Sequence, residues 1–271
     1  MVLDTTTQNR EKIRSIKSEP TRFSNFGDIS SVSGSKMIDP IDHLKSSQDI
    51  SVPEMIEGII QWTQNQYGTE EFVNAKKEFH ALTGRVFPDE HSYHQRMSYF
   101  LDFFTFQRPI QGELRENDEG FTPFSNFLDS QFFDHDRQLS SLKQRFTDLG
   151  NFKHSLFMIL KVSKYKMVLR DLFDKEKIEF GKNHHFIFNG FAYGAIFQGF
   201  IFRLTSSPHI SQGVILHPPN VSRIIRKSVR LLKKDQNPDK LKLMSRLAKQ
   251  HLNFVRQRFG DSKKIYTQLP R

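Results

Sequence analysis

The spacing of apolar residues changes once along this chain, near residue 151, and that change limits its fold more than any other feature. Before it, apolar positions recur every three or four residues, as on one face of a helix. After it, residues 155–162, 166–172, 177–180, 185–191, 195–204 and 213–216 are short runs rich in Phe, Ile and Val. Turn signals separate them at Asp174-Lys175, Gly181-Lys182-Asn183, Asn189-Gly190 and Ser206-Ser207-Pro208. Runs this closely spaced leave no room for crossover helices, so they pair antiparallel. The pattern predicts a meander over residues 151–219 that curls into a small, partly closed β-barrel and so hides its edges.

Residues 51–150 read as an all-α domain of about five helices. Pro53 pre-sets a first helical turn, Met55, Ile56, Ile59 and Ile60 share a face, and Gly68 ends the helix. Thr69 caps the next helix, Glu70 and Glu71 suit its positive end, and Phe72, Val73, Phe79 and Leu82 form its stripe before Gly84. A third helix is expected over residues 89–106. Its second half, Tyr99, Phe100, Leu101, Phe103, Phe104 and Phe106, is apolar nearly all round and belongs at the domain centre. Thr122-Pro123 opens a short helix with Phe124, Phe127 and Leu128 inside, and residues 136–149 form the last one. Residues 1–50 show no period and read as a disordered or loosely attached tail. The fold class expected is α+β.

The charge is confined to one place. The chain carries 40 Lys and Arg against 30 Asp and Glu, a net +10. Residues 221–264 hold fourteen of those bases and three of the acids, so this segment is +11 and the rest of the chain −1. Two amphipathic helices are expected over residues 220–260, broken at Asn237-Pro238-Asp239, with Asn220 as the first cap, Gly260 as the final stop and a tail over 261–271. On the first, Val221, Ile224, Ile225, Val229 and Leu232 face inward, leaving Arg223, Arg226, Lys227, Arg230, Lys233 and Lys234 outside. On the second, Leu241, Met244, Leu247, Ala248, His251, Leu252 and Val255 face inward and Lys242, Arg246, Lys249 and Arg256 outward. Acids are nearly missing from both, unlike an ordinary solvated helix face.

Several chemistries are excluded. With no cysteine there is no disulfide framework, thiolate metal site, iron–sulfur cluster or thiol nucleophile. No secretory signal pattern and no membrane-length apolar run is present, the longest apolar stretch being interrupted at Gln198, so cytoplasmic residence is expected. No nucleophile elbow, phosphate-binding glycine loop or zinc-helix motif occurs. His91 and His94 would share a helix face, with His80 on the preceding helix as a loose third ligand, but solvated polar residues explain them as well. Asp134-His135-Asp136 reads as a helix start, and His184 and His185, adjacent in a strand, point to opposite faces. No catalytic residue, metal or cofactor is assigned.

Met167-Val168-Leu169-Arg170-Asp171-Leu172-Phe173 and Gly194-Ala195-Ile196-Phe197-Gln198-Gly199-Phe200-Ile201-Phe202-Arg203-Leu204, with Leu216-His217-Pro218 closing the barrel, resemble a segment of uncharacterised bacterial proteins. Tyr99-Phe100-Leu101-Asp102-Phe103-Phe104 and Gly120-Phe121-Thr122-Pro123-Phe124 are similar to that family's aromatic helix and Thr-Pro helix, so the resemblance spans residues 72–219. It implies a helical domain followed by a small barrel and carries no activity. Some relatives end in a SEC-C zinc tail, which this cysteine-free chain lacks.

The functional expectation is a non-enzymatic binding or adaptor protein. Its basic C-terminal helices would contact an anionic macromolecule, nucleic acid or acidic protein, through Arg223, Arg226, Lys227, Arg230, Lys233, Lys234, Lys242, Arg246, Lys249 and Arg256. A solvated basic face serving solubility competes with this. One alternative is a protein scaffold with an apolar patch at Tyr99, Phe103, Phe121 and Phe124. Another is a metal-dependent enzyme at His80, His91 and His94.

Overall fold

The computed structural model describes residues 50–110, 121–130, 137–163, 166–181, 191–205, 207–257 and 260–267. All of these lie in one compact unit, Met37–Arg271. The fold is α+β, a curled antiparallel sheet between two sets of helices. The tail expected over residues 1–50 lies outside the described residues except for Ile50, which is buried and whose carbonyl accepts a hydrogen bond from Arg145.

Among the described residues five helices precede the sheet: α1 (Val52–Tyr67), α2 (Thr69–Thr83), α3 (Tyr93–Phe106), α4 (Pro123–Asp129) and α5 (Arg137–Leu149). Ser51 and Glu54 form a reciprocal capping box on α1, and the Thr122 hydroxyl accepts from Ser125 N–H at the start of α4. α3 begins four residues later than the sequence pattern suggests. The Glu90 carboxylate accepts from Phe87 N–H and pairs with Arg256, and these contacts hold residues 88–92 as turns. From Tyr99 to Phe106 every residue of α3 is buried. At its far end Arg108, 4% exposed, donates to Glu78 at 2.7 Å and also to Glu71, tying α3 to α2.

The strands are β1 (Phe152–Val162), β2 (Met167–Asp171), β3 (Lys177–Phe180), β4 (Ile196–Arg203), β5 (Pro208–Ile210) and β6 (Ile215–Leu216). Their order is β3-β2-β1-β4-β5, with β6 also paired to β4. The fourth strand thus returns to lie beside the first, a Greek key in place of a simple meander. Burial explains the exchange. β4 is buried at every position but its last, as suits a strand paired on both edges and covered on both faces, whereas β3, at the end of the sheet, has one face exposed. The sheet edges β3 and β5 approach each other, which makes the sheet a partly closed barrel. Of the strand expected over 185–191, only Phe191 is described; it packs on the barrel interior outside any strand.

The inner face of the curl holds Phe157, Ile159, Met167, Leu169, Phe180, Phe197 and Ile201. The outer face is divided. Leu156 and Ile196 pack on the C-terminal helices α6 (Ser222–Leu232), α7 (Lys240–Arg256) and α8 (Ser262–Thr267) through Ile225, Met244, Leu247 and Ile265. Farther along β1 and β4, Phe152, Phe200 and Phe202 surround Phe106 of α3. Asn220 does not cap α6: it lies inside a 3-10 turn, Pro219–Val221, that leads directly into the helix. Residues expected as a terminal tail instead form α8, because Asp261 accepts from Lys263 and Lys264 N–H and the burial of Ile265 and Tyr266 holds the helix down.

Gly213, between β5 and β6, lies against the backbone of α3. A Cβ there would sit 2.5 Å from both Tyr99 Cα and Tyr99 N, backbone atoms that cannot move aside. Gly213→Ala is expected to cost roughly 3 kcal/mol or more in urea unfolding, or to abolish soluble expression. Gly181→Ala, whose Cβ meets nothing within 4 Å, should unfold as the parent does.

Candidate functional site

The ten basic residues expected to contact an anion are separated by the fold into three groups. Arg223, Arg226, Lys227 and Arg230 lie exposed along α6, and Lys233 and Lys234 are exposed in the turn that follows it. Burial of Val221, Ile225 and Val229 against the outer sheet face turns these cations outward. Lys242, Arg246 and Lys249 are brought together on α7, whose first turn is capped by the Asp239 carboxylate accepting from Lys242 N–H at 2.7 Å. Arg256 stands apart. It pairs with Glu90 at 2.6 Å, donates to the Arg85 carbonyl and lies 5.8 Å from the Phe87 ring centre, so it serves as a clasp to the α2–α3 connection. Among the described residues none of the other nine makes an ion pair.

Lys242, Arg246 and Lys249 line a cavity of about 610 Å³. Its other walls are Ala81 and Leu82 from the end of α2, Leu241, Ser245, Gln250 and Asn253 from α7, and Ile265 from α8. Leu82 is 44% exposed and Leu241 36%, so the cavity is partly apolar and open. It exists because Gly84, at φ +91°, ends α2 in close packing with Leu252, which sets α2 beside α7. The sequence placed Leu82 and Leu241 on buried stripes; both lie at the cavity mouth instead.

His80, His91 and His94 are not brought together as a metal centre. α3 starts at Tyr93, so His91 precedes the helix and does not share a face with His94; both are exposed. His80 is half-buried in α2, its imidazole held below the usual range by burial and by Lys76 and Arg85. Among the described residues no group of three or more His, Asp or Glu can hold a metal ion. Asp134-His135-Asp136, His184 and His185 lie outside the described residues. The proposed scaffold patch is also missing, since Tyr99, Phe103 and Phe124 are buried and Phe121 is half-buried.

The most unusual chemistry lies beneath the surface, where the two sets of helices meet on β4. Gln198 Nε2 donates to Tyr99 Oη at 3.1 Å, which leaves the Tyr99 hydroxyl to donate to His154 Nε2 at 2.7 Å. His154 must then carry its proton on Nδ1 and donate to Gln107 Oε1 at 2.8 Å. In the other direction His217 Nε2 donates to Gln198 Oε1 at 3.2 Å and its Nδ1 accepts from Tyr266 Oη at 2.8 Å. All five bonds run one way, from Tyr266 to Gln107, an arrangement in which each bond polarises the next. Reversing the two amides reverses every donor and leaves each bond made, so both imidazoles are neutral in either sense.

Burial sets the proton affinities here. It drives His154 down to about 3 and His217 well below the usual imidazole value, and it raises the Tyr99 and Tyr266 hydroxyls. Arg96, 1% exposed, donates to the Ala248 carbonyl at 2.8 Å and to His251 Nδ1, and burial lowers its guanidinium to about 10. His251 falls to about 4 by burial and by the adjacent Arg96. Asp102 is raised to about 8 by burial, with the Ser211 hydroxyl as its partner, and is therefore largely a neutral acid at pH 7. Gln198 was visible in the sequence as the interruption of the longest apolar run; Arg96, His154 and His217 gave no comparable signal.

The residues that carry the family resemblance have structural tasks. Asp171 accepts from Phe173 N–H at 2.7 Å and lies 3.4 Å from Lys153, fixing the turn after β2. Gly199 packs beside the Gly213 carbonyl and Val214, where a Cβ would make only ordinary contacts. No family model, curated protein or solved structure matches the chain.

These affinities give stability a maximum near neutrality. At pH 5 unfolding lets His154, His217 and His251 take up protons while Asp102 releases one, a net uptake of about two. Stability should therefore fall with increasing steepness as the pH is lowered from 7, the slope reaching roughly 2–3 kcal/mol per unit near pH 5. Between pH 7 and 9 the imidazoles are neutral in both states, while Asp102 loses in the fold a proton it had already lost when unfolded, so stability declines gently. Urea unfolding across this range checks both limbs, and Asp102→Asn should remove the alkaline decline and steepen the acid limb.

Proposed function

We propose that this chain is a non-enzymatic binding or adaptor protein, acting in the cytoplasm, that holds an anionic macromolecule against its C-terminal helices. The observation that supports it best is the unpaired state of the α6 and α7 cations. Among the described residues Arg223, Arg226, Lys227, Arg230, Lys233, Lys234, Lys242, Arg246 and Lys249 make no ion pair, while Lys153, Lys166, Arg108, Arg203 and Arg256 all do. A face kept only for solubility gains nothing from excluding acids, because interspersed charges of both signs serve solubility as well. Unpaired cations spaced along two neighbouring helices raise the local potential and speed encounter with a negatively charged partner. Among the described residues no helix is long and apolar enough to cross a membrane, which agrees with a partner met in water.

Heparin, a polyanion without sequence, tests the electrostatic claim. Its affinity should fall steeply as salt rises from 50 to 200 mM, by at least tenfold if several cations release counterions. Reversing Arg226, Lys227 and Arg230 to Glu should weaken binding and flatten the salt slope. An affinity independent of salt, or unchanged by the reversal, would remove the reading.

A further inference from the structure

We infer that the cavity between α2 and α7 is a docking groove for an acidic amphipathic helix of a partner protein; this deepens the anionic-partner reading and rests on it. The groove is neither purely basic nor purely apolar. Its α7 residues, Leu241, Lys242, Ser245, Arg246, Lys249 and Asn253, recur every three or four positions and form one face of the helix. That face is about 18 Å long, close to three turns of an opposing helix. Leu82 on α2 and Leu241 on α7 present exposed apolar surface, and Ile265 is among the lining residues.

A nucleic acid would leave those leucines wet, since phosphates and base edges gain little from aliphatic side chains. A helix with apolar residues at i, i+3, i+4 and i+7 would cover them. Asp or Glu beside that stripe would meet Lys242, Arg246 and Lys249. The groove's one acid, Asp239 at the α7 N-cap, is outnumbered by its three cations, so the net charge attracts such carboxylates. Asn253, exposed, supplies a polar contact at the rim, while Ser245 and Gln250 are buried. The chemistry expected of the partner is therefore a short helix with Leu or Phe on one stripe and carboxylates flanking it.

The test uses the full chain and two fluorescent peptides of one composition: an amphipathic helix about three turns long with a Leu stripe and Glu flanks, and a scramble that keeps the charge but breaks the stripe. The ordered peptide should bind at least about tenfold more tightly than the scramble, and Leu82→Asp and Lys249→Glu should each weaken it about tenfold. Heparin binding should barely respond to Leu82→Asp. Equal binding of the two peptides, or indifference to Leu82→Asp, overturns the groove while leaving the basic-helix reading in place. Loss of heparin binding along with both peptides overturns both. Displacement of the peptide by duplex DNA or by oleate at lower concentration than by unlabelled peptide also overturns it, in favour of a nucleic acid or a single-chain anionic lipid.

Discussion

Strand β4 is covered on both faces, and most of the structure answers to that condition. Its inward residues meet the barrel interior, and its outward residues must satisfy two different sets of helices along eight positions. Ile196 turns to the C-terminal helices and Phe200 and Phe202 to α3. Gln198 falls between them, where an apolar side chain would cost Tyr99 and His217 one hydrogen bond each, leaving His217 Nε2 without a partner, and a charged one would be left unpaired. A buried polar group left without a hydrogen bond costs about 1–3 kcal/mol. The chain from Tyr266 through His217, Gln198, Tyr99 and His154 to Gln107 avoids that cost and in doing so fixes the register of two helical layers on one strand.

Charge is arranged on the opposite principle. Within the body several cations are matched. Arg108 is held by Glu71 and Glu78, and Lys153 lies amid Asp171, Asp174 and Glu176, with Arg203 sharing Glu176. Even Lys240, first residue of α7, is drawn over the Phe173 ring, and burial lowers its ammonium. One turn farther on, the pairing stops. These paired cations differ from the run of unpaired ones along α6 and α7, a difference that net charge alone would not reveal.

Much of the architecture was legible because period and punctuation are local properties. Ser51-Val52-Pro53, Gly68, Gly84 and Thr122-Pro123 mark helix ends by backbone chemistry that needs no tertiary partner. What escaped reading depends on residues far apart in the chain. The start of α3 is delayed by Arg256, the place of β4 beside β1 follows from its two-sided burial, and α8 forms because Ile265 and Tyr266 find a core to enter. The candidate site divides the same way. The cations and their helices were legible from spacing, whereas the removal of Arg256 from the set and the addition of Leu82 required α2 and α7 to be side by side.

Arg96 adds a consequence in time. Its guanidinium is buried among groups that include the Ala248 carbonyl, 152 positions later in the chain, and the His251 ring, 155 later. During synthesis the helical half and the sheet emerge first, and for that whole interval α3 carries a cation whose buried partners do not yet exist. An early, tight collapse of the first half would trap it dry and unpaired, so the nascent body must remain loose around α3 until α7 arrives. The last helices therefore supply the partners that let the body close over Arg96.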